Sequence, residues 1–178
     1  VEKRREKIVR LLKSGNKEAK TEAALLERVG AALSEGRPIR RLALTEEEQA
    51  IIRELNLLTM KPVLYVANVA EDEAATAEKE NAFVGRVKEY AAQEGAEVVA
   101  ISAKVEAEIA ELSGEEAKEF LTALGLKESG LNRLIKAAFT LLGLLTFLTA
   151  GPDECRAWTI TRGTTAPKAA GKIHSDIE

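Results

Sequence analysis

The chain has 178 residues, 46% hydrophobic and 31% charged, the balance of an ordinary globular protein with room for one sizeable domain or two small ones. Its net charge of −3 argues against a protein whose main business is coating nucleic acid, and with aromatics at 4% the core must be built from Leu, Ile, Val and Ala. The single cysteine, Cys155, rules out an intrachain disulfide; a buried reduced thiol is expected, which fits the cytoplasm. The opening V-E-K-R-R-E-K lacks the apolar run of a signal peptide, and the longest apolar stretch, 134–150, carries Lys136 and is broken by glycine, so no membrane span is expected.

In chain order, residues 1–14 carry Ile8, Val9, Leu11 and Leu12 as an apolar stripe on a helix, and Ser14-Gly15-Asn16 is a turn signal. Residues 17–33 resume the helical pattern with Ala19, Ala23, Leu26, Val29 and Leu33, so the two helices should form an antiparallel hairpin. This hairpin is expected to have no core of its own. It bears Lys3, Arg4, Arg5 and Lys7, and a linker over 34–41 adds Arg37, Arg40 and Arg41. Such charge runs are most often a solvated face; the sharper alternative is a docking surface for an anionic partner such as RNA. Thr45 followed by Glu48 is a capping box that starts a helix running to about Leu55.

The apolar run Val63–Ala67 reads as a buried strand that ends at Asn68. A long amphipathic helix is expected over 72–93, with Ala82, Val84, Val87, Tyr90 and Ala91 inward, stopped by Glu94-Gly95. Residues 97–102 form a second buried strand, so strand, helix and strand make a βαβ crossover with parallel strands. Helices follow over 105–112, 115–124 and 131–142, then a β-hairpin of 144–148 and 155–160 around Gly151-Pro152-Asp153. Residues 162–170 read as a loop rich in Gly, Thr, Pro and Ala.

The carboxyl ends of the two parallel strands bring Asn68-Val69-Ala70-Glu71 and Ser102-Ala103-Lys104 to one sheet edge, where doubly wound folds bind ligands. An Asn amide offers two donors and an acceptor in one plane, which suits the Hoogsteen edge of a purine. A carboxylate three residues later can accept from the other base edge, and backbone N–H groups of the Ser-Ala-Lys loop can bond or fix the base. Read without any resemblance, Asn68 and Ser102 are ordinary turn or cap residues and Glu71 and Asp72 are first-turn acids.

The pair of motifs resembles the base-recognition motifs of P-loop GTPases, Asn-Lys-x-Asp and Ser-Ala-Lys, with Val69 in place of Lys and Glu71 in place of Asp. Asn-x-x-Glu at this position resembles the YchF (EngD) subfamily of Obg-like proteins, whose members prefer ATP. Residues 142–152, Arg156-Ala157-Trp158-Thr159 and the stretch from Arg162 to His174 look like the start of that family's TGS domain. The helical hairpin sits where the family inserts a coiled-coil arm.

The resemblance implies an α/β fold: the C-terminal part of a P-loop NTPase parallel sheet, with a coiled-coil hairpin insertion and a partial β-grasp unit. It divides the chain into 1–58, arm and linker; 59–142, part of the nucleotide-binding domain; and 143–178, the start of the TGS domain. It further implies ATP binding and hydrolysis with GTP as the weaker substrate, and a nucleotide switch that controls a ribosome-associated surface in the cytoplasm. The base-binding residues are then Asn68, Val69, Glu71, Ser102, Ala103 and Lys104; the basic clusters, read by themselves, make Arg4, Arg5, Arg40 and Arg41 the candidate contacts to RNA or the ribosome.

No G-x-x-x-x-G-K-[ST] occurs in the chain, so a C-terminal fragment is expected that reads the base, with no catalytic residue and with the Mg²⁺ ligands elsewhere. The alternative is a non-enzymatic interaction module made of the arm and the TGS unit. His174, Trp158 and Cys155 are expected to be structural, and Glu115, Glu116 and Glu119 a solvated helix face.

Overall fold

The computed structural model describes residues 1–12 and 17–174. They fall into two compact units, Val1–Pro62 and a second that begins at Val63. The expected turn at 14–16 lies outside the described residues.

The first unit is helical: α1 (Glu2–Leu12), α2 (Lys17–Ser34) and α3 (Glu46–Arg53), with short 3₁₀ turns at Ile39–Arg41 and Leu58–Met60. The Thr45 hydroxyl accepts from the Glu48 N–H while the Glu48 carboxylate accepts from the Thr45 N–H, so the capping box forms as expected. The hairpin does have a core. Leu25, Val29 and Ala32 of α2 are buried with Ile39 and Ile52, and Ile8 of α1 is buried with Ala19 and Leu26. The missing partner in the sequence reading is the segment 39–60: Leu42, Leu44, Leu55, Leu57 and Met60 fold back over α2.

In the second unit, β1 (Leu64–Asn68) and β2 (Glu97–Ile101) pair in parallel, with Asn68 opposite Ile101. The expected crossover is present, and both strands end at one edge. Val99 and Ala100 of β2 are buried, whereas Val66 of β1 is 45% exposed, so β1 is half-buried rather than buried.

The single long helix expected between the strands is instead a series of turns over 71–76, then α4 (Ala77–Glu80) and α5 (Ala82–Ala92). Asn81 makes the break: its Oδ1 accepts from the N–H groups of Phe83 and Val84, which caps a new helix. Ala77 and Val84 pack on Ala100, with Ala67 and Val69 beside them.

Three helices follow β2: α6 (Ala103–Ala110), α7 (Gly114–Ala123) and α8 (Gly130–Leu141). The hairpin of β3 (Leu144–Ala150) and β4 (Cys155–Thr161) is antiparallel, with Phe147 opposite Trp158. Trp158 donates to Thr149 Oγ1 at 2.9 Å, and the Arg156 guanidinium lies 4.3 Å from its ring centroid. Cys155 is exposed, not buried, on the hairpin face that also carries the exposed Ala157 and Thr159. The expected loop over 162–170 contains a short helix, α9 (Ala166–Ala170), whose Pro167 sits in the first turn where a missing N–H costs nothing. Among the described residues, no helix is long and apolar enough to cross a membrane.

Candidate functional site

An open cleft of about 520 Å³ lies at the carboxyl ends of β1 and β2, lined by Asn68, Val69, Ala70, Glu71, Asp72, Ser102, Lys104 and Leu124. That is the size of a small-molecule site, at the edge where parallel sheets bind ligands.

Its floor is held by backbone and amide hydrogen bonds. The Val69 N–H donates to Ile101 O at 2.8 Å, continuing the ladder one residue past β1. The Ala103 N–H donates to Asn68 Oδ1 at 2.9 Å, so Asn68 satisfies the first N–H of α6 from 35 residues away. Ala103 therefore contributes through its backbone and fixes the Asn68 amide plane. The Asn68 Nδ2 group has no partner among the described residues, which leaves two donors for a ligand acceptor.

Ser102 is 3% exposed, and its hydroxyl finds no hydrogen-bond partner among the described residues. A buried hydroxyl without a partner is uncommon and costs roughly 1–3 kcal/mol. Its position on the cleft wall gives that orphan an outlet in a bound molecule. It precedes α6 but does not cap it through its side chain.

At the rim, Lys104 Nζ donates to Glu71 Oε2 at 2.6 Å, with Glu108 at 3.9 Å. The hydrogen bond to Glu71, then the charges of Glu71 and Glu108, hold the Lys104 ammonium above the usual lysine range. The amine thus stays charged at neutral pH.

All six expected base-site residues are therefore at one cleft edge. Asp72 and Leu124 also line the cleft and were not singled out from the sequence. Asp72 directly follows Glu71; Leu124 enters from the C-cap of α7, marked only by the following Gly125.

Two bonds tie this edge to the rest of the unit. Glu106 of α6 accepts from the N–H groups of Gly130 and Leu131 at the start of α8. Arg133 of α8 donates to Ala100 O at 2.7 Å and pairs with Glu78.

The four arginines expected to contact RNA lie in the first unit. Arg4 is paired with Glu22 and reaches Glu54 at 3.7 Å, and the Glu22 hydrogen bond raises its already high pKa further. Arg5 pairs with Glu2 at 3.2 Å, and Arg40 donates to Thr59 O at 3.4 Å. Arg41 ends the 3₁₀ turn and is exposed. Among the described residues no cluster of three or more His, Cys, Asp or Glu is placed to hold a metal.

Residues 144–178 match a family model described as YchF-GTPase_C, a protein of unknown function (DUF933). The whole chain is 50% identical to a Ribosome-binding ATPase YchF of Bacillus subtilis (strain 168), covering 48% of that protein. Another Ribosome-binding ATPase YchF, from Escherichia coli O157:H7, is 49% identical over 97% of the chain and 46% of its own length. The solved structure of the Schizosaccharomyces pombe YchF GTPase superposes with a TM-score of 0.77 at 32% identity, covering 98% of this chain and 49% of that one. The chain spans about half the length of the curated relatives it matches. Identity near one half along nearly every residue, together with a shared fold, places the chain in the YchF family.

Proposed function

We propose that this chain is the base-reading part of an Obg-like nucleotide hydrolase that binds ATP in preference to GTP. The observation that carries the reading is the cleft itself. A fixed Asn68 amide with free donors, an orphan Ser102 hydroxyl and a charged Glu71–Lys104 rim converge at the ends of two parallel strands. Asn68 Nδ2 would donate to purine N7, and the Val69 and Ala70 backbone would flank the ring.

The chain's polar groups suit a base and not a phosphate–metal centre. Mg²⁺ would accompany the phosphates, held by residues outside this chain, and would supply charge neutralisation in phosphoryl transfer. This chain's residues would bind and orient the nucleoside. The finer domain reading goes with it: residues 1–58 as a coiled-coil arm and linker, 59–142 as part of the nucleotide domain, and 143–178 as the start of a TGS β-grasp unit. The α1–α2 hairpin and the β3–β4 hairpin support that division, and a cytoplasmic location goes with the ribosome-binding names of the relatives.

The test is calorimetric titration of the full-length protein with ATP and GTP analogues that resist hydrolysis. Asn68→Asp keeps the oxygen that accepts from Ala103 but removes the amide donors. It is expected to weaken both nucleotides by about tenfold, the loss of one good hydrogen-bond contact, without changing thermal stability. Unchanged affinities would sink the base-reading role.

A second reading is favoured by the names of the relatives, which describe those proteins as ribosome-binding. Here the first unit offers Arg4, Arg5, Arg40 and Arg41 to RNA phosphates, with Arg41 exposed. Ribosome co-sedimentation should weaken steeply as salt rises and on charge reversal at Arg5 and Arg41. Insensitivity to both would rule this surface out.

A further inference from the structure

We propose that a groove of the first unit, lined by Arg53, Asn56, Leu57, Met60, Lys61 and Pro62, docks an acidic peptide segment of a protein partner, which inserts an apolar side chain among its carboxylates. The inference is independent of the nucleotide reading and of the arginines offered to RNA.

One chain reversal builds the groove. Helix α3 ends at Arg53, and Asn56 takes a positive φ of 47°, a conformation that asparagine tolerates better than most residues. The chain then turns through the 3₁₀ segment Leu58–Met60, closed by the Met60 N–H on Leu57 O at 3.0 Å and the Lys61 N–H on Leu58 O at 3.1 Å. Arg40 donates to Thr59 O at 3.4 Å and ties this turn to the preceding one. The reversal brings Arg53 and Lys61 to one pocket of about 250 Å³. That is below the roughly 300–1,000 Å³ of small-molecule sites and suits an inserted side chain.

The lining is apolar and charged at once. Leu57 and Met60 pack against the core of the unit yet stay half-buried, and Leu58 in the same turn is 78% exposed. Apolar side chains left exposed beside a groove mark interaction surfaces, and methionine adapts its shape to the partner.

The charge is uncompensated. Elsewhere in the unit Arg4, Arg5, Arg28 and Arg37 each pair with a carboxylate. The side chains of Arg53 and Lys61 have no ion pair or hydrogen bond among the described residues, and Glu54, next to Arg53, reaches Arg4 instead. Arg53, in the last turn of α3, also complements the helix dipole; Lys61, beyond that helix, does not.

Two unpaired cations on an apolar groove, in a chain of net charge −3, are complementary to an anionic and partly apolar occupant. None of the six lining residues is aromatic, so the groove lacks the stacking platform that holds single-stranded RNA. An acidic peptide with a leucine-like anchor meets both requirements.

The experiment follows fluorescence anisotropy as full-length protein is added to dye-labelled peptides: Glu-Glu-Leu-Leu-Glu-Glu, its alanine counterpart Glu-Glu-Ala-Ala-Glu-Glu, and its basic counterpart Lys-Lys-Leu-Leu-Lys-Lys. A labelled oligouridine is the RNA probe. The wild type should bind the acidic leucine peptide about tenfold more tightly than either counterpart, and Arg53→Gln/Lys61→Gln should weaken it by about tenfold. Lys61→Glu should weaken the acidic peptide and strengthen the basic one, an exchange that loss of folding cannot produce. Both variants should keep the wild-type melting curve.

No binding of the acidic leucine peptide by the wild type, equal binding of the alanine peptide, or full affinity in Arg53→Gln/Lys61→Gln would overturn the proposal. So would oligouridine that binds more tightly than the acidic peptide and is lost in the same double variant, which would make the groove an RNA contact. None of these results bears on the cleft, whose role Asn68→Asp tests separately.

Discussion

A Cβ built on Gly130 would stand 2.7 Å from Ile101 Cγ2, 2.9 Å from Ile101 Cβ and 3.0 Å from Glu106 Oε1. Ile101 is the last residue of β2, and Glu106 is the carboxylate that ties α6 to the start of α8. Any side chain at 130 therefore pushes on both supports of the Ser102–Lys104 corner. Gly130→Ala should destabilise the unit by about 1–3 kcal/mol, the usual cost of overpacking, as measured by urea unfolding. It should also weaken nucleotide binding although Gly130 lines no part of the cleft.

A second residue-scale effect involves Glu116, which the sequence reading placed on a solvated face. The Ser113 hydroxyl and then its N–H donate to the Glu116 carboxylate, holding its pKa below the ordinary 4.5. A carboxylate whose folded pKa is depressed adds stability above its ordinary value and loses it as pH falls through the folded one. An NMR titration should find Glu116 below the usual carboxylate range, and Ser113→Ala should return it upward. An unshifted Glu116 in the wild type would contradict the contact.

At the scale of elements, the fate of each expectation depended on how far apart in sequence its cause lay. The capping box at Thr45 and Glu48 is local, three residues wide, and formed as read. The two parallel strands were legible from short apolar runs, and with them the shared edge that carries Asn68 and Ser102. The helix break at Asn81 was not, because an Asn inside a polar stretch looks like any helix surface residue; the apolar spacing used for that helix in fact begins at Ala82.

The bond from Ala103 to Asn68 and the entry of Leu124 into the cleft span tens of residues, beyond what periodicity records. The core of the first unit was missed for a similar reason. Its second layer, Ile39, Leu42, Leu44 and Ile52, is scattered through a linker and a short helix. Leu25 packs in that layer, and Leu26 beside it in the sequence is buried with Ile8 and Ala19; they are 1% and 0% exposed. Leu26→Ala should cost about 2–5 kcal/mol in chemical unfolding monitored by helical circular dichroism. A loss near zero would mean that the α1–α2 hairpin stands without this core.

At the scale of the whole molecule, the cleft proposed to read the base and the arginines proposed to meet RNA belong to different units, the first in residues 63–174 and the second in Val1–Pro62. A ligand that binds only the folded state stabilises it by mass action, about 2.7 kcal/mol at a hundred times its Kd. That stabilisation should be distributed according to contact. In the full-length protein, saturating ATP analogue should slow amide exchange at 68–72 and at 102–104, which line the cleft, and at the start of α8, which Glu106 and Arg133 bind to that corner.

The amides of α1 and α2 make no part of that network and should keep their rates in the nucleotide-bound protein. Hydrogen exchange read by mass spectrometry separates these peptides. Protection of α1 and α2 without protection at 68–72 would place the nucleotide away from the cleft. Protection at both would mean that base binding is coupled to the helical surface, the arrangement a nucleotide-controlled grip on RNA requires.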